Sequence, residues 1–162
     1  MINSYQPTYI LKLTLLLLIF ADGAFASTKE LPRFAALKVS EANIRTGPGS
    51  TYPVKWVFVK KNMPVEIIAE FENWYKIRDN LQYQGWVHKT LIYSKRYFIS
   101  QKEAILYKSP LKKYNIPLYK FEKNIIGQIK SCRAEWCEVR YKDYYGWTHK
   151  SNIWGVYASE NF

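Results

Sequence analysis

Two cysteines, two histidines and a few carboxylates are the side chains of this sequence that could do covalent or metal chemistry. Cys132 and Cys137 are five residues apart and flank Arg133-Ala134-Glu135, which reads as a turn between two alternating runs. Opposed positions across a hairpin lie within disulfide reach, and such a bond persists outside the reducing cytoplasm. A Cys132–Cys137 disulfide is therefore expected if the chain is exported. A zinc site would need both histidines as well. His88 and His149, however, take matching positions in two similar segments, which points to a structural or surface role. A catalytic cysteine needs a nearby base and an orienting group, and nothing beyond His149 offers itself to Cys137. Glu66, Glu70, Glu72 and Asp79 contain the makings of a carboxylate pair for sugar hydrolysis. On strands and turns they read more simply as solvated side chains. No catalytic residue, metal or cofactor is expected, and the chain reads as a non-enzyme.

The segments that would position these residues begin after an apolar stretch. Leu13 to Phe20 is apolar and short, with Lys12 before it and Ala24-Phe25-Ala26 after it. A cationic flank, a short apolar core and an A-x-A exit describe a secretory signal peptide. The run falls well short of the roughly 20 residues a membrane-spanning helix needs. Cleavage after Ala26 is expected, with an uncleaved anchor as the alternative. The mature chain would have no membrane span and would be exported, periplasmic or secreted.

Beyond residue 26 the chain repeats itself. Trp74-Tyr75-Lys76-Ile77-Arg78 is matched 62 positions on by Trp136-Cys137-Glu138-Val139-Arg140, and Gly85-Trp86-Val87-His88-Lys89 is matched 61 positions on by Gly146-Trp147-Thr148-His149-Lys150. The offset of 62 also aligns Asn43–Pro48 with Ile105–Pro110. Three blocks in one register indicate a tandem duplication. Within each copy the apolar positions alternate. Tyr75 and Ile77 alternate with Lys76 and Arg78, and Cys137, Val139 and Tyr141 with Glu138, Arg140 and Lys142. Period two means half-buried strands, and several short strands closely spaced suggest a small barrel or sandwich. Aromatic residues make up 17% of the chain. That excludes broad disorder and supplies the large side chains that a barrel of about 60 residues needs for a core. Most of the Trp and Tyr side chains are expected to be core or ordinary surface. Gly85 and Gly146, inside strands, mark a bulge or a close approach of another segment.

Asn43-Ile44-Arg45-Thr46-Gly47-Pro48-Gly49, Tyr52-Pro53-Val54, Trp74-Tyr75-Lys76-Ile77 and Gly85-Trp86-Val87-His88 together resemble the bacterial SH3-like (SH3b) domain pattern. The second copy keeps its Trp and Gly-Trp blocks but lacks the Arg and the first Gly of the opening motif. The resemblance implies an all-β chain of two tandem small SH3-like β-barrels. The divisions expected are a signal peptide at 1–26, a lead-in at 27–34, domains at 35–99 and 100–157, and a tail at 158–162. The link near Tyr93–Lys102 contains no Gly or Pro, so a close and fairly fixed pair of barrels is expected. Cys132, Trp136-Cys137 and Trp154-Gly155-Val156-Tyr157 are similar to the second half of exported tandem SH3-like proteins. Arg45 either holds the loop carrying Tyr52 by bonding carbonyls or grips a ligand carboxylate. Tyr52, Trp74 and Tyr83, with Trp136 and Tyr145 in the second copy, are the candidate groove residues. Gly85, Trp86, Gly146 and Trp147 are the structural repeat motif.

The formal net charge is +11, from 24 Lys+Arg against 13 Asp+Glu. It is even along the chain: residues 27–99 carry 12 basic and 6 acidic side chains, and residues 100–162 carry 11 and 6. Export makes nucleic acid an improbable partner and favours extracytoplasmic anions. The function expected is a non-catalytic exported binding module. It would recognise peptidoglycan, another anionic envelope polymer or an extended peptide through aromatic and basic grooves. The alternative is a factor that binds another envelope protein or a host protein.

Overall fold

The computed structural model describes residues 30–162. The expected signal peptide lies outside the described residues. Fourteen strands follow one another: β1 (Arg33–Leu37), β2 (Ala42–Arg45), β3 (Val54–Phe58), β4 (Pro64–Phe71), β5 (Trp74–Arg78), β6 (Gln84–His88), β7 (Ile92–Tyr93), β8 (Tyr97–Ser100), β9 (Ala104–Tyr107), β10 (Pro117–Phe121), β11 (Ile126–Arg133), β12 (Trp136–Tyr141), β13 (Tyr144–His149) and β14 (Ile153–Trp154). They form two seven-stranded sheets of identical order, β3-β2-β6-β5-β4-β1-β7 and β10-β9-β13-β12-β11-β8-β14. The fold is all-β, as the alternation indicates.

Each sheet curls around its own core. Ile44, Val65, Ile67, Ile77 and Val87 fill the first. Phe98, Leu106, Phe121, Ile129 and Val139, with the buried Cys132–Cys137 disulfide, fill the second. The duplication extends to irregularities. The ladder slips between Ile67 and Ala69 in β4 and between Ile129 and Ser131 in β11, so a bulge sits at the same place in both long strands and bends them around the core. Two-residue turns at Glu72-Asn73 and Ala134-Glu135 join the paired strands, and Glu72 and Ala134 take positive φ values of 46° and 47°. The strand after each Gly-Trp pair ends in a short 3₁₀ turn, Lys89–Leu91 or Lys150–Asn152.

The two barrels are held face to face. Only Ser94-Lys95-Arg96 separates β7 from β8. Phe34 of the first barrel packs on Trp154 and Tyr157 of the second, with ring centres 4.9 and 4.6 Å apart. The Tyr157 hydroxyl donates to Glu66 Oε1 at 2.7 Å. Glu66 Oε2 accepts from Arg78 Nε and Nη2 at 2.8 and 2.6 Å. Glu66 therefore departs from the solvated state expected of it. Its side chain is only 6% exposed, because the second barrel covers the outer face of β4. A carboxylate taken out of water needs such partners to stay charged.

The last turn of the chain forms a strap. Lys150 is buried and donates from Nζ to the carbonyls of Ala158 and Glu160 at 3.0 and 2.6 Å. Arg96 grips the Glu160 carboxylate and donates to the Gly155 carbonyl at 2.7 Å. Phe162 exchanges backbone hydrogen bonds with Cys132. Burial works against ionisation of Glu160, but hydrogen bonds from Arg96 and the Tyr157 N–H, with the charges of Arg96 and Lys150, outweigh it and hold its carboxyl below the usual range. The Tyr157 hydroxyl is pushed upward, first by burial and then by its bond to Glu66. Gly155 has φ +127°, and a Cβ there would stand 2.2 Å from the Tyr97 carbonyl oxygen. Only glycine lets the strap pass so close.

Candidate ligand groove

The opening loop of the first barrel is built around Tyr52. Arg45 Nη1 donates to the Tyr52 carbonyl at 2.7 Å, and Thr46 N–H donates to the Pro53 carbonyl at 3.0 Å. The Tyr52 ring lies over Gly47, where a Cβ would stand 2.3 Å from Cδ1 of the ring. Gly47 is thus a seat for the tyrosine. The second barrel has Ser109-Pro110-Leu111 in the place of Gly47-Pro48-Gly49 and Tyr114 in the place of Tyr52. Its loop is also one residue longer. Ala42 pairs with Phe58, whereas Ala104 pairs with Phe121.

That extra residue changes which aromatics correspond. Ile44 pairs with Trp56 and Leu106 with Tyr119, so Trp56 and Tyr119 are equivalent although 63 positions apart. Each meets the tyrosine that stands two residues before the glycine of the Gly-Trp pair. Trp56 lies on Tyr83 with ring centres 4.8 Å apart, and Tyr119 lies on Tyr144 at 4.4 Å. Asp79 fixes the first of these loops. It is buried, and its Oδ1 accepts from the N–H groups of Leu81 and Tyr83 at 2.9 and 2.8 Å. This carboxylate too is a buried structural acceptor where a solvated one was expected.

The aromatic pairs stand on exposed ground. Tyr52, Val54, Trp56, Val57 and Tyr83 are exposed around β3, and Tyr114, Ile116, Leu118 and Tyr144 around β10. β3 and β10 are terminal strands of their sheets, so each offers backbone N–H and C=O groups along one edge. Beside the first pair is a cavity of about 370 Å³, lined by Thr46, Lys55, Lys76, Gln84, Gly85 and Trp86. Lys55 joins cavity and pair, with its Nζ 5.9 Å from the centre of the Trp56 ring. The arrangement can lay an extended chain across an aromatic step while ammonium groups meet its anionic substituents.

The sequence-chosen residues fall into three places. Tyr52 and Tyr83 lie on this exposed surface, with Arg45 supporting the loop. Trp74 and Trp136 lie at the other end of β5 and β12, half-buried and edge-on to His88 and His149 at 5.3 and 5.5 Å. Trp74 pairs with His88, four residues along β6 from Gln84, so Trp74 and Tyr83 do not share a groove. Tyr145 is exposed but lies under Arg140, whose guanidinium carbon is 5.1 Å from its ring centre. It is Tyr144 that meets Tyr119. The constant offset of 62 sets Trp56 against Leu118 instead of Tyr119, and Tyr83 against Tyr145 instead of Tyr144. The one-residue slip would have been visible only by aligning β2–β3 and β9–β10 separately.

The glycines and histidines of the repeat serve the backbone. A Cβ on Gly85 would stand 2.4 Å from Ile44 Cγ2, and one on Gly146 2.5 Å from the Tyr107 carbonyl oxygen, so both let the Gly-Trp strand cross closely over the opening strand. Trp86 pairs with Arg45 and Lys76 on the outer face, and Trp147 with Tyr107 and Glu138. His88 and His149 cap the 3₁₀ turns, accepting at Nδ1 from the N–H of Thr90 and Ser151. Among the described residues no group of three or more His, Cys, Asp or Glu could hold a metal ion, and no helix is long and apolar enough to cross a membrane.

The family model for the bacterial SH3 domain matches this chain twice, at residues 38–93 and 100–155. No curated protein matches it. Among solved structures, it is similar to NlpC2 from Trichomonas vaginalis at 13% identity and a TM-score of 0.35, over 78% of this chain and 49% of that one. NlpC1 from the same organism is similar at 13% identity and a TM-score of 0.34, over 79% of this chain and 47% of that one. The chain spans about half the length of these structures.

Proposed function

The chain belongs to the bacterial SH3 domain family, in two consecutive copies, and we propose that it is a non-catalytic exported module that binds cell-envelope material, peptidoglycan or an extended peptide, through its aromatic and basic surfaces. Members of this family are often binding modules for cell-wall material. The observation that carries the reading is the pair of aromatic contacts, Trp56–Tyr83 and Tyr119–Tyr144, at equivalent places in both barrels, with Trp56, Tyr83 and Tyr144 exposed. Aromatic rings left in solvent, as those of Trp56, Tyr83 and Tyr144 are, are suited to gripping a ligand. The Lys55 and Lys76 side chains that line the neighbouring cavity suit an anionic chain. A disulfide buried in the second core supports an extracytoplasmic location. Two surfaces on one clamped unit would bind a polymer with avidity if both engage at once.

The test is co-sedimentation with purified peptidoglycan sacculi. The wild-type chain is expected to pellet in a salt-sensitive manner. Trp56→Ala and Tyr144→Ala, both at exposed positions, are each expected to weaken pelleting while leaving the chain folded. Wild-type protein that stays in the supernatant at low salt would overturn the wall reading. Undiminished pelleting of the double variant would overturn the assignment to the aromatic pairs.

A further inference from the structure

Repeat symmetry exposes an arginine that lost its internal partner. In the first sheet, ladder pairing sets Phe34, Glu66, Arg78 and Gln84 side by side on the face turned away from the core. The same row in the second sheet is Tyr97, Gln128, Arg140 and Tyr145. Gln128 stands 62 positions after Glu66 and Arg140 stands 62 positions after Arg78. The carboxylate that neutralises Arg78 is thus an amide in the second copy, while the arginine is kept.

Arg140 finds no substitute acid. Among the described residues neither Arg140 nor Lys142 makes an ion pair within 4.0 Å. The adjacent Asp143 is not such a partner either. Arg140 Nε donates to the Lys142 carbonyl at 3.1 Å, and its guanidinium rests on Tyr145. These contacts hold the side chain and leave its terminal nitrogens available. A cavity of about 250 Å³ opens beside them between the two barrels. Asn62 of the first barrel and Tyr97, Gln128, Arg140 and Lys142 of the second line it, and no acidic residue does. Asn62 Oδ1 already accepts from the Tyr93 hydroxyl, which leaves its amide N–H groups to donate.

We propose that this inter-barrel cleft binds the carboxylate end of a ligand beside Gln128, supplying to Arg140 the negative charge that Glu66 supplies to Arg78 in the first barrel. The Arg140 terminal nitrogens take the two oxygens as a fork. Lys142 adds a second positive charge, and Tyr97 and Asn62 supply neutral donors. The cleft is separate from the aromatic pairs, so the proposal stands or falls apart from theirs.

The test is a titration of the ¹⁵N-labelled chain with N-acetyl-D-alanine, and separately with inorganic phosphate, at constant ionic strength. Saturable shifts of the Gln128, Arg140 and Lys142 amides are expected with N-acetyl-D-alanine. Arg140→Gln should weaken binding by about ten-fold or more, the loss of a charge-assisted hydrogen bond. Gln128→Glu is the decisive variant. It restores the internal carboxylate of the first copy, so it should abolish binding while leaving the chain folded, with a melting temperature no lower than wild type. A Gln128→Glu chain that titrates like wild type would overturn the proposal. So would the absence of saturable shifts with N-acetyl-D-alanine, or saturation by phosphate without saturation by the carboxylate.

Discussion

Tyr157→Phe removes one hydroxyl and leaves the ring on Phe34. The lost interaction is a 2.7 Å donation to Glu66 Oε1 across the two barrels. Glu66 keeps Arg78 on its other oxygen, but Oε1 is left without this donor in a side chain only 6% exposed. A hydrogen bond to a charged group contributes about 1.5–3 kcal/mol. Tyr157 is itself half-buried, so solvent reaches part of the site and the lower half of that range, about 1.5–2 kcal/mol, is expected. For a chain of this size the loss corresponds to roughly 3–8 °C in melting temperature. Differential scanning calorimetry reads it directly. The double variant with Glu66→Gln separates the pair from its surroundings, and a coupling of about 1 kcal/mol or more is expected for groups in direct contact. A fall of less than about 0.5 kcal/mol for Tyr157→Phe, the size of an ordinary surface change, would refute the reasoning. It would mean that the hydroxyl is solvated and that the barrels are not joined through Glu66.

Three further perturbations act elsewhere. The Glu160 carboxyl is held below its usual range in the folded chain, so its contribution is present above the unfolded value of about 4.3 and is lost as pH falls through the lower folded value; urea midpoints from pH 7 to pH 3 should fall less steeply for Glu160→Gln than for wild type. Breaking the Cys132–Cys137 bond by a Cys132→Ser, Cys137→Ser pair frees a short loop worth about 2 kcal/mol and puts hydroxyls where both side chains are fully buried, so a loss of at least that size in urea melts is expected. Gly146→Ala drives a Cβ to within 2.5 Å of a backbone oxygen and 2.9 Å of Leu106 Cγ; overpacking of this kind costs about 1–3 kcal/mol, to be read as a lowered midpoint for the second barrel's tryptophan signal.

The sequence by itself determined the repeated β architecture, because alternation of period two and the recurrence of Trp and Gly-Trp blocks are local properties of the chain. The disulfide was legible for the same reason: Cys132 and Cys137 flank a turn whose two residues pair their neighbours directly. Gly85 and Gly146 also announced themselves, since a glycine inside a strand signals close approach. The aromatic surface was only half legible. Tyr52 and Tyr83, chosen from the sequence, lie on it; the Trp56–Tyr119 equivalence depends on which residues pair across β2–β3 and β9–β10, where a one-residue insertion shifts the register, and the Tyr83–Tyr144 equivalence on the one-residue deletion before the second Gly-Trp strand. Glu66 and Asp79 were misread as solvated because burial of a side chain is decided by how the chain folds around it. Asp79 turns inward to bind two N–H groups of its own loop, and Glu66 is covered by Tyr157, 91 residues away. How the strap from Lys150 to Phe162 binds the barrels together, and where Arg140 is left facing a cleft, were decided only in three dimensions. Burial and pairing between distant strands depend on how two separately formed sheets meet, and no periodicity within either sheet encodes that meeting.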